Sequence, residues 1–222
     1  MSSAGAKPDS PSVALVLGHS IAHGVGATDT VYGGVTLPAG ISVRDGGVNL
    51  SAWPDSSGTG PDPGVLPYLA ANMGTGTIIR RATNGQILSG VETTELPNAI
   101  ADCTALGIDR RDVTLCVLMI GENDAQNGAE SAAYAARIGQ TCALIEAAFP
   151  NVRIVVQNMR TEDASYSEFA VIRAANVSAV AARATRALAD YTGITLNDAV
   201  HYDLAGYATA GSLQWVGWQA AL

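Results

Sequence analysis

The chain has 222 residues and a formal net charge of −8; 48% of it is hydrophobic and only 14% charged. That balance excludes a disordered chain, which carries fewer apolar side chains and more charge. The acidity argues against a nucleic-acid partner, whose phosphates are met by clustered Lys and Arg. No run approaches the roughly 18 consecutive apolar residues of a membrane span. Residues 1–11 are small and polar with no apolar h-region. They read as a flexible arm without a signal peptide, which makes the chain cytoplasmic by default. A single domain is expected over 12–222.

Val13–Leu17 reads as a buried strand that breaks into "GHSIAHGVG". Residues 28–76 are dense in Gly, Pro, Ser and Asp and read as a loop-rich excursion with short strands and turns. Inside it, "PGVLPYLAANM" reads as a short helix with Pro63 near its start and Gly74 past its end. The rhythm then becomes regular. "TIIRRAT" is expected as a strand, "ELPNAIADCTALG" as a helix closed by Gly107, and "DVTLCVLMIG" as a near-continuous apolar strand. "ESAAYAARIGQTCALIEAAF" is expected as a helix stopped before Pro150, and "NVRIVVQNM" as a strand. The stretch "SYSEFAVIRAANVSAVAARATRALADYTG" is expected as one long helix ending near Gly193, and "ITLND" as a short strand. A last helix runs from about Leu204, with Asp203 as its N-cap.

Wholly apolar strands alternating with helices imply a parallel sheet covered on both faces. The expected fold is therefore α/β: a three-layer αβα doubly wound sandwich around a mainly parallel sheet of about five strands. Cys103, Cys116 and Cys142 have no metal-ligand spacing and read as buried, reduced thiols. The basic doublets Arg80-Arg81 and Arg110-Arg111 read as solvated strand or loop edges.

In doubly wound folds ligands sit beyond the carboxyl ends of the strands. Polar residues cluster at three of those expected ends: Gly18-His19-Ser20, Thr83-Asn84-Gly85-Gln86 and Gly121-Glu122-Asn123-Asp124. A fourth cluster, Asp198 to His201, precedes the last helix. Together they supply the parts of an acyl-transfer site. Serine needs a base to become a nucleophile, and His201 can serve Ser20. Asp198, three residues before His201, would share one face of a helical turn with it and orient the imidazole. The backbone N–H groups of Ser20 and Gly85 and the Asn123 amide could hold an oxyanion.

The order Gly-x-Ser, glycine block, "GEND", "DAVH" resembles the SGNH (GDSL-type) serine esterase superfamily, with a flavodoxin-like fold, from Leu17 to Gly206. The resemblance implies Ser20 as nucleophile, Asp198 and His201 as its partners, and Gly85 and Asn123 as oxyanion donors. "GEND" and "GPDPGVLPYLA" look like the sialate O-acetylesterase and carbohydrate acetylesterase branch. That branch implies a small-molecule or polysaccharide ester as substrate and no cofactor or metal. His19 stands where the family usually has Asp or Gln, and Gly90 is an alternative to Gly85.

Other readings compete. Ser20 could cap a following helix, and Asn123 could be a turn residue. Glu122 and Asp124 read as loop carboxylates or orienters. His19 and His23, four apart, could pair on a metal only if helical, and lack the Glu of a zinc-protease motif. The glycine loop lacks the Lys of a P-loop and the third glycine of a dinucleotide fingerprint. The Gly-x-Ser-x-Gly of an α/β-hydrolase is absent, since position 22 is Ala. A short-chain acyl esterase, thioesterase or lipase, or a catalytically weak carbohydrate-binding module, could occupy the same fold. Trp53, Tyr68, Trp215 and Trp218 could line a pocket. Oligomeric state is outside what the sequence says.

Overall fold

The computed structural model describes residues 11–25, 35–54, 62–159, 166–198 and 201–221. The arm expected over 1–11 lies, Pro11 apart, outside the described residues, as do parts of the 28–76 excursion.

The strands are β1 (Val13–Gly18), β2 (Ile41–Asp45), β3 (Val48–Leu50), β4 (Gly76–Ala82), β5 (Val113–Met119), β6 (Arg153–Asn158) and β7 (Arg186–Asp190). The helices are α1 (Leu66–Met73), α2 (Leu88–Gly90), α3 (Leu96–Leu106), α4 (Gly128–Ala148), α5 (Phe169–Ala181) and α6 (Leu204–Ala220). A π-helical turn, Val91–Glu95, joins α2 to α3.

The strands form one seven-stranded sheet in the order β3-β2-β4-β1-β5-β6-β7. Every pairing is parallel except that of β2 with β3. Side chains alternate across each strand. Val13, Leu15 and Leu17 join a core with α3, α4 and α5, whereas Ala14 and Val16 join a second core with α1 and α6. The three-layer α/β sandwich is thus present. No helix among the described residues is long and apolar enough to cross a membrane.

The sheet has two more strands than the five or so expected; the excursion holds short strands as expected, and two later readings change. The excursion contributes β2 and β3, which extend the sheet beyond β4. The long helix expected up to Gly193 ends at Ala181, and "RALAD" becomes β7, paired with β6. Its Ala, Leu and Arg are helix formers, and docking on the sheet edge overrides that preference. Arg186 secures the reversal by donating to the Ala179 carbonyl at 2.9 Å and to both Glu146 oxygens. "ITLND" forms no strand, only an isolated antiparallel bridge between Leu196 and Tyr202.

Other expectations match. Gly107 closes α3 in the left-handed conformation, and the Gly74 N–H caps α1. Asp203 caps α6 by accepting the Gly206 N–H. The three cysteines are free and buried. Arg110 and Arg111 are exposed, but Arg80 is not: it lies on the α1/α6 side of β4, fully buried, with its guanidinium on both Asp45 oxygens. Strand alternation forces it inward, and a buried carboxylate receives it.

Candidate active site

Strand order brings three of the four polar blocks together. β1 lies between β4 and β5, and Gly18 is in register with Ala82 on one side and Met119 on the other. The blocks 18–20, 83–86 and 121–124 therefore leave the sheet side by side, at the switch point where open α/β sheets bind ligands. The approach is close. A Cβ on Gly18 would lie 1.9 Å from the Met119 carbonyl oxygen, so this position admits only glycine. Backbone bonds from His19 N–H to Met119 O and from Thr83 N–H to Gly18 O stitch the three exits together.

The fourth block arrives from before α6. Leu196 bridges Tyr202, the Asn197 N–H donates to the His201 carbonyl, and Thr195 Oγ1 donates to Asp203 at 2.6 Å. Within this pinched loop Asp198 Oδ1 accepts the His201 backbone N–H at 2.8 Å, and Oδ2 meets His201 Nδ1 at 2.8 Å. The pair is therefore held by a carboxylate-to-backbone turn, not by the helical turn expected from the spacing. His201 Nε2 reaches Ser20 Oγ at 3.1 Å across the loop ends. With Asp198 accepting at Nδ1, the proton sits on Nδ1 and Nε2 presents a lone pair to the serine hydroxyl.

Ser20 caps no helix. It opens a tight turn in which the Val25 N–H bonds to the Ser20 carbonyl and the Gly24 N–H to Ile21. A cleft of about 270 Å³ lies over it, lined by Ser20, Gly85, Asn123 and His201 together with Ile21, Val25, Asn84, Glu122 and Tyr166. Gly85, at φ +73°, has the left-handed conformation that glycine adopts without strain. Among the described residues, neither the Ser20 nor the Gly85 backbone N–H is taken by a backbone acceptor. Gly90 lies in α2 under the Gln86 side chain and does not line the cleft. Asn123 donates one amide hydrogen to the Gln86 carbonyl at 3.0 Å, leaving its second.

Several residues that hold these loops have roles the sequence did not assign them. Glu95, buried on the π-helical turn, accepts from Thr83 Oγ1 at 2.6 Å and from Gln86 Nε2, which fixes the loop bearing Gly85. Arg80 donates to the carbonyls of Ala22 and Asp62, anchoring the Ser20 turn from below. His23 and Asn84 join the Ser20 and Gly85 loops through a 2.9 Å bond. Burial, then the charge of Arg80, lowers the His23 pKa. The neutral ring donates from Nδ1 to the Asn84 oxygen. His19 turns away from His23 to Glu122, so the two rings share no ligand position.

Asp124 is buried beneath Asn123 and accepts the Leu88 N–H with both oxygens. Burial pushes its carboxyl up to about 6. Of the aromatic residues expected around the pocket, Trp53 and Trp218 belong to the core and none lines the cleft. Tyr166, stacked on Phe169 at 5.3 Å, takes that place.

A parallel α/β sandwich with a serine, an imidazole and a carboxylate in line at its switch point has the architecture of the flavodoxin-like hydrolases. The chain belongs to the GDSL-like lipase/acylhydrolase family, whose model matches residues 16–220. Compared by sequence with curated proteins, it has no significant match. Among solved structures it is similar to a protein from Arabidopsis thaliana (12% identity, TM-score 0.70, covering 96% of this chain and 100% of that one). A carbohydrate esterase family 2 enzyme with a carbohydrate-binding domain, from Corynascus thermopiles (Myceliophthora fergusii), is similar at 16% identity and TM-score 0.64, over 97% of this chain and 68% of that one. A carbohydrate esterase family 3 protein from Talaromyces cellulolyticus is similar at 14% identity and TM-score 0.56, over 90% and 93%. At these identities the likeness concerns the fold.

Proposed function

We propose that this member of the family is a serine esterase that removes O-acetyl groups from carbohydrate, with Ser20 as nucleophile, His201 as base and Asp198 as its orienting carboxylate. The observation that carries the reading is the continuous chain from Asp198 Oδ2 through His201 to Ser20 Oγ, at 2.8 and 3.1 Å.

Ser20 Oγ attacks the ester carbonyl as its proton passes to His201 Nε2, and Asp198 stabilises the imidazolium. The Ser20 and Gly85 N–H groups and the free hydrogen of the Asn123 amide receive the oxyanion, each donor worth about 10²–10³ in rate. His201 returns the proton to the leaving sugar hydroxyl. It then takes one from water as the water oxygen attacks the acetyl carbonyl, and gives that proton to Ser20 Oγ as the acyl–serine bond breaks, which releases acetate and restores Ser20.

Two observations favour a sugar acetate. The cleft is open and carries Asn84, Glu122 and Asn123 beside Ile21 and Val25, with Tyr166 as a flat face. Two similar folds are carbohydrate esterases. A panel of acetylated sugars set against aryl esters of rising acyl length tests the substrate. The reading predicts the highest kcat/KM on acetyl esters of sugars and a steep loss beyond short acyl chains. Rates that climb with chain length would assign the site to the acyl esterases, thioesterases or lipases instead.

A further inference from the structure

His19, next to Ser20, is fully buried, although histidine is polar and the neighbouring turn reaches solvent. Its ring is committed on both sides. Nδ1 accepts the Ile21 backbone N–H at 3.3 Å and lies 3.4 Å from Ser20 Oγ. A nitrogen that accepts an N–H carries no proton, so the ring proton sits on Nε2. Nε2 donates it to Glu122, which is buried and also accepts from Gln157 Nε2. Behind Gln157, the Asn176 amide donates to its carbonyl at 3.0 Å, and Tyr134 donates to Asn176 at 2.7 Å. Glu122, with one oxygen on His19 and the other on Gln157, therefore has fixed partners and fixes the tautomer of His19 in turn.

Ser20 Oγ thus lies between two imidazoles that are each backed by a carboxylate, with opposite tautomers. His201 presents Nε2 and His19 presents Nδ1. We infer that His19 is a positioning residue for the nucleophile: held by Glu122, it pins the Ile21 N–H and with it the turn that carries Ser20, so that Oγ stays in line with His201 and its single hydrogen is left to Nε2. The inference rests on Ser20 being the nucleophile. What position 19 needs is an acceptor facing the turn and a donor facing Glu122, at roughly the reach of an imidazole. Gln supplies both. Glu supplies the acceptor but opposes Glu122, and Leu supplies neither.

The test measures kcat and KM on an aryl acetate, and the rate at which a fluorophosphonate labels Ser20, in the parent and four variants. His19→Leu is expected to lose about 10²-fold in kcat and in labelling rate, with KM within about twofold, as a displaced reacting group does. His19→Gln should stay within about fivefold of the parent, and His19→Glu should fall about as far as Leu. Adding Glu122→Gln to His19→Glu restores a donor between positions 19 and 122 and should recover at least about tenfold. Equal activity in the Gln, Glu and Leu variants would reduce His19 to packing and overturn the inference. Should His19→Leu not fold, the comparison of Glu alone with the Glu/Gln double change decides by itself, and no recovery overturns the role. A parent protein unlabelled at Ser20 fails in a different way: it removes the nucleophile reading before any change at position 19.

Discussion

The Asn123 side-chain amide donates to the Gln86 carbonyl at 3.0 Å, locking the loop after β5 to the loop after β4. The bond holds the amide plane, so the second hydrogen of Asn123 has a defined direction at the cleft. Asn123→Ala removes both hydrogens and is expected to lower kcat by about 10²–10³. Thermal unfolding should change little by comparison, because Glu95 still holds the neighbouring loop. A kcat within a few-fold of the parent would take Asn123 out of the oxyanion site.

Gly18 admits no side chain. A methyl group there meets the Met119 carbonyl oxygen at 1.9 Å and the Ala22 methyl at 3.0 Å. Gly18→Ala must push β1 away from β5, and its cost belongs at or above the top of the about 1–3 kcal/mol range for overpacking. Urea unfolding of the variant measures it, and a midpoint equal to the parent's would show that the strands part more easily than their register implies.

Arg80 and Asp45 form a buried ion pair beneath the Ser20 turn. Burial raises the Asp45 pKa, and the Arg80 charge and hydrogen bonds more than offset it, leaving the carboxyl below its ordinary value. Arg80→Met strands that carboxylate and frees the carbonyls of Ala22 and Asp62. A loss of about 3–5 kcal/mol is expected from leaving a buried charge unpaired. Chemical denaturation checks it, and a loss under about 1 kcal/mol would mean that water replaces the guanidinium.

Asp124 links stability to pH in the opposite sense. Its pKa is raised by burial from 3.8 to about 6, so the folded state binds this proton more tightly than the unfolded chain does. The group costs nothing below the unfolded pKa. It destabilises the fold progressively as pH rises through the folded value, reaching about 3 kcal/mol above it. Asn at this position has no such charge. The Tm of Asp124→Asn relative to the parent should therefore rise between about pH 4 and pH 8. A constant difference across that range would contradict the assignment.

The chain announces some of this and hides the rest for identifiable reasons. β1 and β5 are legible because both faces are covered, which leaves continuous apolar runs, and β4 and β6 are marked by their apolar centres. β7 is hidden because "RALAD" is made of helix formers, and no Gly or Pro marks the turn between Ala181 and Arg186. The burial of Arg80 depends on Asp45, which reaches it only once β2 pairs with β4. The blocks of the site are visible as polar residues after apolar strands, and their order carries the family resemblance. Their mutual contacts are another matter. Glu122 meets His19 across 103 positions and Gln157 meets Glu122 across 35, through a strand order that local patterning does not encode. His19 accordingly reads as an odd residue in the sequence and as a fixed element in the fold.

In the proposed reaction Ser20, activated by His201, attacks the ester. Fluorophosphonate labelling of the folded protein, read by peptide mass spectrometry alongside aryl-acetate hydrolysis, tests it most directly. A single modification at Ser20 with parallel loss of hydrolysis is expected, and neither labelling nor hydrolysis in Ser20→Ala. Hydrolysis that persists in Ser20→Ala would contradict the proposed reaction.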